Sequence, residues 1–156
     1  MTAIRIRPLT VEDAPHVARI YFCAIHEGSR GHYDYSQRLA WGGLTVDPAV
    51  WRRRLKGVDG FVAERDCEPL GFMTLDDAGY IDLAFVLPSA AGHGIGRRLY
   101  EAVEARARKQ GLCELTVQAS KVARPLFEKM GWVTVAEQQV TRQDVKLTNY
   151  RMRKPL

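Results

Sequence analysis

The residues best suited to chemistry lie between Val86 and Leu99, in the run Val-Leu-Pro-Ser-Ala-Ala-Gly-His-Gly-Ile-Gly-Arg-Arg-Leu. A strand-like stretch leads through Gly92, Gly94 and Gly96 into a helix-like stretch, and that order predicts an anion site. Glycines let the backbone bend tightly and bring N–H donors close to a ligand. The first turn of the helix then adds unpaired N–H groups and a partial positive charge. Arg97 and Arg98 place full charge beside the same helix end, so a diphosphate would be held by backbone and guanidinium together. The same glycines also suit a plain tight connection, and both readings stand at this point. A dinucleotide fold is disfavoured, because the third glycine of G-x-G-x-x-G is missing and the strands leading in look antiparallel. The Lys-Ser/Thr pair of a phosphate loop is absent too.

The elements around this turn follow from periodicity. Ile4 to Arg7 alternates like a short strand. Thr10 to Asp13 reads as a helix start, with Val17, Ile20, Tyr21, Ala24 and Ile25 at helical spacing as far as Gly28. Gly28 to Gly60 is rich in aromatics and glycine and holds a short helix around Val50 to Leu55. Period-two runs at Phe61–Glu64, Leu70–Leu75 and Tyr80–Val86, parted by turn-forming residues, predict a three-strand meander. A helix from about Gly94 to Gln110 follows, then a strand Glu114–Val117, a helix Val122–Met130 and two last strands, Val133–Thr141 and Val145–Met152.

At 156 residues, 46% hydrophobic and 26% charged, the chain reads as one folded domain spanning 1–156, not a disordered or fibrous one. No apolar run approaches a membrane span and no export signal is read at the start, so no membrane partner is expected. Cys23, Cys67 and Cys113 are odd in number, widely separated and lack metal-ligand spacing, which points to a reducing cytoplasm and no metal. A formal net charge of +5 favours anionic partners. The basic clusters Arg52–Arg54, Arg97–Arg98, Arg106–Lys109 and Arg151–Lys154 belong to no reader motif and are read as solvated faces, so no nucleic acid is expected.

The order of elements, with Val86-x-Pro88 and Gly92-x-Gly94-Ile95-Gly96, resembles the GNAT superfamily of acetyl-coenzyme A dependent N-acetyltransferases. The segment Ala123-Arg124-Pro125-Leu126-Phe127-Glu128-Lys129-Met130-Gly131-Trp132 is similar to that family's A-x-x-x-Y/F-x-x-x-G-F/W helix end. The resemblance covers nearly the whole chain. It implies an α/β (α+β) fold, a central mixed, mostly antiparallel twisted sheet of about 6–7 strands flanked by about 4 helices, with acetyl-CoA (CoA) as cofactor. It further implies that Gly92, His93, Gly94, Ile95, Gly96, Arg97 and Arg98 cradle the pyrophosphate. Ala84, Phe85 and Val86 would pair with the pantetheine arm, and Ser120 and Phe127 would lie near it. Two departures stand out. Ala91 replaces the usual Gln or Arg before the glycines, and Phe127 replaces a tyrosine that many members use as general acid.

The implied activity is transfer of an acetyl group to a primary amine by direct attack on the thioester. An ammonium group is no nucleophile, so a base must remove its proton. Alternate strand residues share a face, which puts Tyr80, Asp82, Ala84 and Val86 together, with Asp82 as base and Tyr80 as helper. Glu27, Tyr33, Tyr35 and Trp41, with Asp34, would enclose a cationic acceptor, small molecule or protein, and His26 and His32 are further base candidates. The alternative is a non-catalytic acyl-CoA sensor or regulatory module of the same fold. An exposed late strand could pair across a homodimer.

Overall fold

A computed structural model describes residues 3–156; the first two residues of the expected 1–156 domain lie outside it. The elements run β1 (Arg5–Pro8), α1 (Ala14–Cys23), α2 (Tyr35–Gly42), α3 (Pro48–Arg54), β2 (Gly60–Arg65), β3 (Glu68–Thr74), β4 (Tyr80–Ile81), β5 (Ala84–Val86), α4 (Ile95–Lys109), β6 (Glu114–Ala119), α5 (Arg124–Lys129), β7 (Val133–Arg142) and β8 (Val145–Pro155). Eight strands and five α-helices therefore stand where about six or seven and about four were expected.

The strands form two four-stranded half-sheets, ordered β1-β2-β3-β5 and β4-β6-β8-β7. All pairings are antiparallel except β4 with β6. The correction that matters for function lies at Tyr80–Val86, which is not one strand. Tyr80 and Ile81 pair with Thr116 and Val117, whereas Ala84 to Val86 pair with Met73 to Gly71. The handover is made at Leu83, whose N–H donates to Thr74 Oγ1 at 3.0 Å and whose carbonyl accepts from Thr74 N at 2.9 Å.

Each face of the first half-sheet is covered by a helix whose apolar stripe fits it. On one face Tyr21 of α1 and Trp51 of α3 meet Phe85 and Phe72, at ring separations of 5.0 and 6.2 Å. On the other, Gly71 and Val86 lie against Ile95 of α4, which buries Ile95, Leu99, Tyr100, Val103 and Ala107. Buried apolar residues from both half-sheets join in one core cluster. Under the amino end, Arg7 bonds Asp13 at 2.7 Å and Glu64 at 2.9 Å, which pairs two buried carboxylates. Of the basic clusters, Arg52, Arg97, Arg106 and Arg153 each meet a carboxylate. No helix among the described residues is long and apolar enough to cross a membrane.

Candidate active site

The break between β4 and β5 opens the sheet. β5 is the edge of its half-sheet and has β3 as its strand partner. Leu83 and Leu87 bond inward to Thr74 and Leu70. Antiparallel ladders alternate, so the N–H and C=O groups of Ala84 and Val86 face away from β3 into the gap.

A cavity of about 770 Å³ runs along this free edge and past Gly92, Gly94 and Gly96. Arg97 and Lys129 are the only charged side chains among its described lining residues. Gly92 and Gly94 have φ of +81° and +76°, values that strain a residue with a Cβ. No atom lies within 4 Å of a Cβ at either position, so backbone conformation and not space demands glycine there. Gly94 caps α4 without a side-chain acceptor, so the first-turn N–H groups are not blocked by the cap. At Gly96 the reason is different: a Cβ would sit 3.1 Å from Leu126 Cδ2, where α4 and α5 approach. A π-helical turn, Ala24–Gly28, extends α1 and brings Ala24, Gly28 and Ser29 to the same groove.

The other predicted coenzyme residues separate. Arg97 and Ile95 line the groove, and Arg97 Nε also meets Glu101 at 2.9 Å. Arg98 turns away, donating from Nη1 to Ile4 O at 2.7 Å, and like the exposed His93 it lines neither this groove nor the cavity behind it. Ser120 lines the groove while its Oγ accepts from Ala123 N at 3.1 Å. Phe127 does not line it. Its ring is fully buried, 4.8 Å from Trp132 and 6.1 Å from Tyr100.

A second cavity, of about 150 Å³, lies on the opposite side of the gap and shares Trp41, Ala84, Phe85, Ser120 and Ala123 with the first. Tyr80 and Asp82 line it, and Phe127 forms part of its wall. Although the strand is broken, both residues still reach this cavity, with Asp82 in the connection at the gap. Aromatic rings form a continuous wall: Tyr33 to Trp41 at 5.6 Å, Trp41 to Phe85 at 5.9 Å and Phe85 to Tyr21 at 5.0 Å. Tyr21 donates to Trp41 O at 2.8 Å. Tyr33 donates to Thr148 O at 2.6 Å and accepts from Lys121 N at 3.0 Å, so both hydroxyls are committed. Burial pushes the phenols of Tyr21, Tyr33 and Tyr80 above their ordinary range, and the Asp82 charge adds to the rise at Tyr80 and Tyr21. All three therefore keep their protons in neutral solution.

Of the predicted acceptor residues, Tyr33 and Trp41 line this cavity, but Glu27 and Tyr35 line neither. Tyr35 is 63% exposed at the start of α2, and Asp34 is that helix's N-cap, accepting from Gln37 N at 2.9 Å. His26 Nε2 lies 2.7 Å from Gly43 O and His32 is exposed; neither lines a cavity. Three charged lining residues had no role in the sequence reading: Arg54, Arg142 and Lys129. Their signals were present. Arg54 is three residues after the buried Trp51, on the same face of α3, and Arg142 is two after Val140 on one face of a strand.

Known proteins match this architecture. The Acetyltransferase (GNAT) domain family matches residues 31–154. The chain is 31% identical over 153 residues to an uncharacterised N-acetyltransferase, YafP, of Escherichia coli K12, covering 98% of this chain and 97% of that one. A GCN5-related N-acetyltransferase from Rhodopseudomonas palustris superposes with a TM-score of 0.92 at 32% identity, covering 100% of this chain and 98% of that one. The PaiA N-acetyltransferase of Thermoplasma acidophilum, in complex with coenzyme A, superposes at 0.78 with 17% identity and 99% of each chain covered, a likeness of fold.

Proposed function

The chain belongs to the GNAT family of acetyltransferases, and on that footing we propose that it moves an acetyl group from acetyl-coenzyme A to a primary amine. The observation that carries this is the pair of cavities meeting at Ala84–Phe85. One has a basic, amide-lined wall suited to a diphosphate, and the other holds a carboxylate within the acceptor space. Acetyl-coenzyme A, which the fold family implies, supplies an acyl carbon already activated as a thioester. The T. acidophilum protein of like fold is in complex with coenzyme A, which supports coenzyme A as a ligand of this fold.

The chain's own residues divide the work. Gly92, Gly94, Ile95, Gly96 and Arg97 hold the diphosphate with main-chain N–H groups and one guanidinium. Lys129 lies on the same wall. The outward amides of Ala84 and Val86 pair with the pantetheine arm as an added strand, and they also offer N–H groups where negative charge develops on oxygen. Asp82 takes the proton from the attacking ammonium. Tyr80, protonated and with no hydrogen-bond partner for its hydroxyl among the described residues, donates toward the departing sulfur, a role that Phe127 cannot fill. A sensor would have no use for a carboxylate and an acceptor-sized cavity beside the reacting position, so the second cavity supports transfer over sensing.

Purified protein, acetyl-coenzyme A and a panel of amines, followed for free thiol, test the proposal. Thiol release that depends on both amine and enzyme is the expected result. Acetyl-coenzyme A binding by calorimetry with no thiol release across a broad panel would refute transfer and favour sensing.

A further inference from the structure

The acceptor cavity carries charge that amine transfer does not use. Arg54 ends α3 and Arg142 ends β7, so two guanidiniums reach one cavity from separate layers of the fold. Asp82 is the single carboxylate on its described lining, which leaves one net positive charge, two guanidiniums against one carboxylate. Neither arginine forms an ion pair among the described residues. Arg54 is held in place by stacking instead, its guanidinium carbon 4.0 Å from the Trp51 ring centroid and 5.7 Å from that of Tyr21. Stacking occupies the face of the guanidinium; one in-plane donor faces the Tyr21 hydroxyl, and no carboxylate among the described residues takes the others, which can bind an anion. Both arginines and Asp82 act electrostatically on the Tyr21 hydroxyl, and Arg142 and Asp82 act on that of Tyr80, so the charges surround one space.

From this arrangement we infer that the acceptor is a small amine that also carries a carboxylate, of the amino-acid type, with its ammonium toward Asp82 and its carboxylate held by Arg54 and Arg142. The inference rests on the amine-transfer reading and narrows it. A simple cationic amine would meet a lining of its own sign, whereas a zwitterion meets a partner for each of its charges. A volume of about 150 Å³ suits a compact acceptor. The role expected of Glu27 and Asp34 in enclosing a cationic acceptor has no support here, since both lie outside the cavity.

Matched acceptors test it: glycine, alanine and leucine, each against its amide and its decarboxylated amine, compared by kcat/KM. The amino acids should exceed their carboxylate-free partners by about 10-fold or more, the range of a charge-assisted hydrogen bond. Arg54→Gln and Arg142→Gln should each collapse that ratio, and Arg142→Lys should restore part of it. Both positions are exposed, so the folded chain tolerates the changes. Acetylation of the carboxylate-free amines, or of polycationic amines, at equal or better kcat/KM would overturn the inference while leaving amine transfer standing. A readout without turnover separates the two further. In the presence of coenzyme A, N-acetyl-leucine should bind more tightly than N-acetyl-leucinamide by calorimetry, and the difference should vanish in Arg142→Gln; equal binding of the two would also overturn it.

Discussion

Replacing Gly94 by alanine separates the backbone's role in ligand binding from its role in folding. Gly94 sits at φ +76° with nothing within 4 Å of a Cβ, so the substitution introduces strain without collision. An L-residue in that conformation costs about 1–2 kcal/mol, and a stiffer unfolded chain offsets about 0.4–1 of it. The net loss of about 1 kcal/mol lowers Tm by about 2–4 °C in a chain of this size. Gly111 provides a matched control: its φ is +77°, its Cβ position is equally open, and it follows the other end of the same helix, away from both cavities. Gly111→Ala should lose the same stability and keep its affinity for acetyl-coenzyme A. Gly94→Ala should also lose affinity, because relief of the strain turns the first-turn N–H groups of α4 off the diphosphate. One lost hydrogen bond to a charged group, about 1.5–3 kcal/mol, weakens binding about 10- to 150-fold. Thermal unfolding and calorimetry on the two variants decide it. Equal affinities for the two variants would refute the idea that this turn holds the phosphates.

Asp82→Asn should lower kcat by about 10²–10⁴ at neutral pH, while calorimetric affinity for acetyl-coenzyme A stays put; an unchanged rate would remove Asp82 as the base. Arg7→Met removes the partner that buried Asp13 and Glu64 share, leaving Glu64 only Arg5 at 3.7 Å, and denaturant unfolding should show a loss of about 3–5 kcal/mol. Burial works to raise the Asp13 pKa, but hydrogen bonds from Arg7 and the Thr10 N–H outweigh it and hold the carboxyl below its ordinary value. Its stabilisation is therefore complete above about pH 4 and lost as pH falls further, so a Tm-against-pH series should drop steeply there in the wild type and less in Arg7→Met. Phe127→Ala empties a fully buried site between Tyr100 and Trp132 and should cost about 3–5 kcal/mol by the same unfolding measurement.

Local chemistry was legible in the sequence wherever a neighbour along the chain decides it. The glycine turn, the apolar stripe of α4 and the alternation of β2 and β3 depend on φ preferences and on periods of 3.6 and 2, which a linear chain carries in full. The break at Asp82–Leu83 was not legible. Tyr80 to Val86 alternates without interruption, and only the competition of β3 and β6 for the same stretch splits it. That split gives the free edge of β5 and, with it, both cavities. The Gly28–Gly43 segment shows the same limit from the other side. Tyr33 and Trp41 reach the acceptor space while Glu27, Asp34 and Tyr35 do not, because helix capping and packing against β8 set the direction of each side chain. The charge of the acceptor cavity was least accessible of all. Arg54 and Arg142 are 88 positions apart and reach one cavity only because the fold brings the ends of α3 and β7 to it. The sequence alone determined where phosphate chemistry could be held, since that needs one turn and one helix end. Only the tertiary structure decided what the acceptor must look like, since that depends on side chains brought together from both half-sheets.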